Sequence, residues 1–229
     1  MTRNEMIRFL ILRSIGNFMV LFALFAVGSI VGPAMYYEVN FRIQLAKGIT
    51  YTVANPFGIY QNNSGVNSGL PSLFLPFGQQ QILIPKDTHF AIMIPKIGAN
   101  ARVFPNVDAG NEKEFLPILK KGVAHAKGSS LPGLRGTTYL FAHSTDSLFD
   151  VGQYNAIFYL LKDLVPGDQI VVFFENKRYN YAVSDKKIID PNDVSFLLKG
   201  TAPESELVLQ TCWPPGTTWK RLMVIAKPV

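Results

Sequence analysis

The chain has 229 residues, 48% of them apolar and 17% charged, and carries a formal net charge of +6. That length suits one domain of ordinary size plus an appendage, and without a Lys/Arg cluster the mild positive charge gives no sign of a nucleic-acid partner. A single cysteine excludes an internal disulfide, and three scattered histidines with one cysteine show none of the ligand spacings of zinc sites, so neither a metal nor a cofactor is expected.

The first element is apolar. From Ser14 to Tyr37 no residue is charged, a run of 24. At about 1.5 Å per residue such a helix can cross a hydrocarbon core roughly 30 Å thick. Arg3, Arg8 and Arg13 precede it against one acid, Glu5, and a basic N-terminal flank favours the cytoplasmic side. A cleaved signal peptide is the rival, but the run exceeds an h-region of about 7–15 residues and no A-x-A site follows. The expected arrangement is a cytoplasmic flank over 1–13, a single-pass anchor in the cell membrane over 14–37, and an extracellular remainder.

Residues 38–80 read as a linker or lid. Asn, Ser, Gly and Pro dominate the stretch that begins at Gln61, and an apolar island, Leu73–Phe77, is expected to dock on the domain that follows over 81–229. There Phe90 to Pro95 predicts a strand ended by its proline. Asn111 to Lys121 has helical spacing, shortened or broken by Pro117. The segment around His125, KKGVAHAKGSSLPG from Lys120 to Gly133, reads as a Gly/Ser/Pro-rich loop. Thr138 to Ala142 predicts a strand, and Tyr154 to Leu164 a helix closed by the Pro166–Gly167 turn. Gln169 to Phe174 and Tyr179 to Ser184 predict two strands joined by the polar turn Glu175–Arg178. Pro191 to Lys199 predicts a helical turn, and Glu206–Thr211 and Leu222–Ala226 the last strands. Many short strands with few short helices imply a mostly-β domain, a barrel or a sandwich.

Three residues stand out chemically. Cys212 ends the apolar run Leu207–Thr211 and precedes Pro214, Pro215 and Gly216, a rigid strand end that suits a nucleophile. A thiol near pKa 8.5 needs help to attack an amide. His143 also follows an apolar strand and enters a polar loop, where it could exchange protons near neutral pH. Arg221 lies nine positions after Cys212 and opens the next strand. If those two strands pair, its guanidinium reaches the same edge and could stabilise an oxyanion. From the residues alone each has a plainer alternative, namely a buried structural thiol, a surface imidazole and a solvated arginine. His125 competes with His143, and His89 is the weakest of the three histidines.

Val208–Cys212, reading VLQTC, resembles the strand that ends in Thr-Leu-x-Thr-Cys in the sortase family, with Val208 in place of the usual Thr. LFAHS resembles the family's histidine segment, IPKIGANARV (Ile94 to Val103) its first barrel strands, and GVAHAKGSSLPGLRG (Gly122 to Gly136) the loop before the histidine strand. These pieces span roughly residues 90–226 in the family's order. The resemblance implies an eight-stranded β-barrel and a Cys212–His143–Arg221 site, with Thr211 in support of the nucleophile. Trp213 and His125 are the further supporting or substrate-binding candidates. It also implies a cysteine transpeptidase that cleaves a C-terminal sorting signal of a surface protein through a thioester. The acyl group would pass to an amine, from a cell-wall precursor or a pilin lysine. The Trp213-Pro214-Pro215 turn is bulkier than is usual in the family, and Asn55-Pro56-Phe57 lacks the acid of the lid element found in some pilin-polymerising members.

Two other readings compete. L,D-transpeptidases of peptidoglycan also use Cys, His and Arg, but keep Cys and His in one short motif, whereas here they lie 69 positions apart. A non-catalytic, membrane-anchored β-domain adaptor would not require the three residues to converge.

Overall fold

A computed structural model describes residues 3–54, 80–144, 157–193, 204–215 and 217–229. The first helix, α1, runs Arg3–Ala46. Within Arg3–Ser29 the most apolar 18 residues have a mean hydropathy of 2.1 and are unburied by the rest of the chain. That makes this stretch a candidate membrane anchor by length and composition. The helix does not stop at Tyr37. Glu38 accepts from Arg42 at 2.9 Å and pairs with Lys162 at 2.6 Å, while Phe41 is buried in the main hydrophobic cluster. The start of the expected linker is therefore a helical extension docked on the domain.

Strand β1, Thr50–Val53, pairs parallel with β2, Gln80–Leu83. Val53 and Leu83 pack on Ala91, Met93, Val171 and Phe173. Tyr51 lies against Gly98, whose φ of +63° and close approach both favour glycine. Asn55-Pro56-Phe57 and Leu73–Phe77 lie outside the described residues.

Eight strands close a barrel: β3 Phe90–Ile94, β4 Ala99–Val107, β5 Val123–Ala126, β6 Gly136–Phe141, β7 Gln169–Phe174, β8 Lys177–Ile189, β9 Ser205–Trp213 and β10 Lys220–Pro228. Their order around the barrel is β10-β8-β7-β3-β4-β5-β6-β9. Two neighbouring pairs are parallel, β4 with β5 and β6 with β9. Parallel neighbours need a crossover. Helix α2, Glu112–Leu119, supplies the first and is as short as Pro117 within it suggests. The second crossover includes β7 and β8.

Side chains alternate between two environments. Ile92, Ile94, Leu140, Leu207, Leu209, Leu222 and Val224 fill the interior, joined by Phe158, Leu161 and Leu164. Tyr139, Phe141, Val208, Met223 and Ile225 form a second cluster on the outer wall, against Phe115 and Ile118 of α2.

Three local expectations change. The segment 123–126 is a strand, not a loop: Val123 faces inward and Ala124 and Ala126 face α2. Four small or apolar residues are too few to show a period. Tyr159–Asp163 is a 3₁₀ turn rather than an α-helix over 154–164, of which 154–156 lie outside the described residues. The β7–β8 turn is two residues, Glu175 and Asn176, both at positive φ, a geometry that matches the twist of a tight hairpin. Of the turn expected over Pro191–Lys199, residues 194–199 lie outside the described residues.

Because Phe41 is enclosed by barrel residues, Phe41→Ala should destabilise the domain by about 3 kcal/mol, toward the low end for buried aromatic truncation. Denaturant unfolding of the full chain in detergent measures it. A shift below about 0.5 kcal/mol, the range of ordinary surface changes, would mean that α1 is not docked in solution.

Candidate active site

The parallel ladder of β6 and β9 holds one register, from Gly136 opposite Ser205 to Phe141 opposite Gln210. Past its end the Ala142 N–H donates to the Gln210 carbonyl at 3.2 Å. The Thr211 hydroxyl, itself buried, donates to the Ala142 carbonyl at 3.0 Å. The next residues on the two segments are His143 and Cys212. On the other side of β9, β10 runs antiparallel with Arg221 directly opposite Cys212. Cys212 thus sits on a strand flanked by the His143 segment and the Arg221 strand.

Cys212 and Arg221 share one wall. Tyr139, Phe141, Val208, Met223 and Ile225 belong to the outer cluster, and alternation by two along β9 and β10 carries that face to Cys212 and Arg221, while His143 follows the end of β6 by two residues. Each of the three is half-buried. Arg221 Nη1 lies 3.6 Å from Cys212 Sγ and donates to the carbonyls of Thr218 and Lys220 at 3.1 and 3.3 Å. Those two carbonyls hold the guanidinium in place beside the sulfur.

Burial pushes the Cys212 thiol above its ordinary pKa, and the positive charge of Arg221 pulls part of that back. The resting sulfur is therefore mostly thiol at neutral pH, and any group that delivers positive charge beside it raises the thiolate fraction.

The supporting candidates separate. Thr211 ties the Cys212 strand to the His143 segment. Trp213 packs against the interior cluster, on the opposite face of β9 from Cys212. His125 is buried on β5, opposite Leu140 of β6, and shares the inward face with Val123 and Phe90, its ring 5.7 Å from that of Phe90. Its Nδ1 accepts the Asn106 N–H at 3.2 Å, which leaves the proton on Nε2. That nitrogen donates to the Ser130 carbonyl at 3.1 Å and meets the Ser129 hydroxyl at 2.9 Å. His125 is a satisfied interior residue on the face away from Cys212.

The sequence reading passed over Tyr139 and Gln210. Both lie on the wall that carries Cys212, and the Tyr139 hydroxyl donates to Gln210 Oε1. The signal was present: Gln210 is the one polar side chain among the four residues before Thr211, two places from Cys212.

A sortase-domain family model matches residues 92–229. Sortase D of Bacillus subtilis (strain 168) is 30% identical over 139 residues, which cover 59% of this chain and 61% of that protein. The chain thus matches under two thirds of that relative's length. Among solved structures, sortase C-1 of Actinomyces oris superposes with a TM-score of 0.52 at 25% identity, over 63% of this chain and 76% of that one. The Clostridium perfringens sortase D5 transpeptidase gives a TM-score of 0.51 at 22% identity, over 62% and 79%, a likeness of fold.

The His125 environment has a pH signature. Burial lowers its pKa below the ordinary 6.5, against a smaller upward pull from the Ser130 carbonyl. The unfolded chain therefore binds the proton first as pH falls. This stabilisation is complete above about pH 6.5 and is lost as pH drops below it, toward the depressed folded value. Urea unfolding between about pH 7.5 and 5 should show a falling midpoint, and a His125→Gln chain should show a shallower fall. Equal slopes would mean that His125 titrates as it does in the unfolded chain.

Proposed function

Since the chain belongs to the sortase family, we propose that it is a membrane-held cysteine transpeptidase acting through Cys212, His143 and Arg221. The Cys212 thiolate attacks a backbone carbonyl carbon in a C-terminal sorting signal and forms a C–S bond as the carbonyl electrons move to oxygen. Arg221 stabilises that oxyanion with N–H donors. When the tetrahedral centre collapses, the C–N bond breaks and imidazolium His143 gives its proton to the departing amine. A thioester remains. A second amine, from a cell-wall precursor or a pilin lysine, attacks it and loses a proton to His143, and the sulfur leaves. Thr211 positions the pair by joining the two strand ends.

The observation that carries this reading is the 3.6 Å approach of the Arg221 guanidinium to Cys212 Sγ, on a strand whose other neighbour leads into His143. For the reaction to serve surface proteins, α1 spans the cell membrane with its N-terminus in the cytoplasm and the barrel outside. Protease added to spheroplasts then digests the barrel without lysis.

A library of peptides bearing C-terminal sorting-motif variants, incubated with and without amines, tests the chemistry. The wild-type chain should cleave a subset and join the acyl part to the amine. Cys212→Ala should abolish both with an unchanged melt, and His143→Ala should cost about 10²-fold or more. Arg221→Ala should lower kcat by about 10²–10³-fold, as for a lost oxyanion donor. Arg221→Lys should resemble it if the planar fork matters beyond the charge. Retained cleavage in Cys212→Ala overturns the assignment of the nucleophile. Near-normal kcat in Arg221→Ala removes Arg221 from the catalytic set.

A further inference from the structure

The wall that carries Cys212 is laid out in rows across β6, β9 and β10. One row ends in Cys212 opposite Arg221. The next, two residues along β9, is Phe141, Gln210 and Met223. Phe141 and Met223 are buried and apolar. Gln210 between them is half-buried, a polar amide framed by two hydrophobic side chains beside the nucleophile.

Its orientation is set from beneath. Tyr139, one row farther on and buried, donates its hydroxyl proton to Gln210 Oε1 and also lies 3.7 Å from Met223 Sδ. With the carbonyl end of the amide turned toward Tyr139, the Nε2 end is turned away from it. Among the described residues Nε2 has no protein acceptor. An amide donor held in one orientation among apolar side chains, two residues from the nucleophile, is arranged to meet an acceptor that the described residues do not supply.

The spacing identifies the acceptor. Gln210 and Cys212 are two residues apart on one strand, about 6.6 Å, and an extended peptide repeats its carbonyls on one side at the same interval. Resting on the transpeptidase reading above, we propose that Gln210, locked by Tyr139, is a specificity-determining residue whose Nε2 binds a backbone carbonyl of the peptide substrate, two residues before the scissile carbonyl. That carbonyl stays on the acyl part, so the contact persists in the thioester. The alternative is a brace between β6 and β9. Six consecutive ladder pairs already join these strands, and a brace does not require an amide end without a protein partner.

The test uses the full chain in detergent and the peptide that the wild type cleaves best, with esters replacing its backbone amides one at a time to weaken each carbonyl as an acceptor. The variants are Tyr139→Phe, Gln210→Met and the double variant. The double variant removes both partners and so strands no buried hydroxyl if Gln210→Met alone folds poorly. The double variant should lose about 3–10-fold in kcat/KM, chiefly through KM, the effect of one neutral hydrogen bond. One ester position should cost the wild type and leave the double variant unaffected. The pH profile of Cys212 alkylation by iodoacetamide should be unchanged. Identical ester sensitivity in wild type and double variant sinks the proposal, as does a shifted alkylation profile, which would place the effect on the sulfur instead. A wild type that cleaves no peptide defeats the transpeptidase reading itself, whereas cleavage that the double variant matches defeats this proposal alone.

Discussion

Everything at the candidate site depends on the register of one parallel strand pair. Residues of β6 meet residues of β9 at a constant offset, and the Thr211 to Ala142 hydrogen bond preserves the offset of 69 beyond the ladder. The same offset relates His143 to Cys212. Because side chains alternate, a slip of one residue would turn Cys212 into the barrel and Thr211 out. The register is held by what the slip would expose: Leu207 and Leu209 would leave the interior, and Val208 would leave the cluster under α2. Core packing and site geometry are therefore the same constraint, and Thr211, buried with its hydroxyl satisfied, belongs to both.

Burial acts on the sulfur in two ways. It penalises the thiolate, which is why the Cys212 pKa rises. It also lowers the local dielectric, so a guanidinium 3.6 Å away acts more strongly than it would in water. Arg221 can hold that place because the same Nη1 also donates to the Thr218 and Lys220 carbonyls of its own turn. A lysine could supply the charge but not the several fixed donors. The apolar wall around it, Phe141, Met223 and Ile225, serves the same end by keeping solvent from the back of the site.

Much of this was legible in the residues, and what was not has a physical reason. The lone thiol at the end of LVLQTC, the histidine after LFA and the arginine opening the last strand marked the site, since apolar runs deliver residues to strand ends. Of the strands of five or more residues, β3, β6, β7, β8, β9 and β10 were readable from alternation and Pro/Gly punctuation, whereas β4, Ala99–Val107, was marked only by the family resemblance. The strand carrying His125 was not, because four residues of Val, Ala, His and Ala show no period and glycines and serines surround them. The inward turn of His125 needed the pairing with Leu140, which no local pattern contains. Gln210 went unread because parity about Cys212 matters only once β9 is known to have one face on α2 and one in the barrel.

The helix that precedes the barrel carries a mechanical consequence. Glu38 grips Lys162 at 2.6 Å, and Lys186 of β8 donates to the Lys162 and Leu164 carbonyls at 2.5 and 2.9 Å. Strand β8 in turn pairs with β10, with Ile189 opposite Arg221. A continuous chain of contacts thus runs from α1 to the strand bearing the guanidinium. Phe41, buried in the interior cluster, prevents α1 from swinging as a free tether. A flexible linker would let the barrel tumble at a membrane surface. A helix continuous through Ala46 and docked by an ion pair and an aromatic side chain instead constrains the barrel's attitude to the helix axis. If α1 spans the bilayer, the wall that carries Cys212 keeps a preferred orientation toward substrates held in the same membrane.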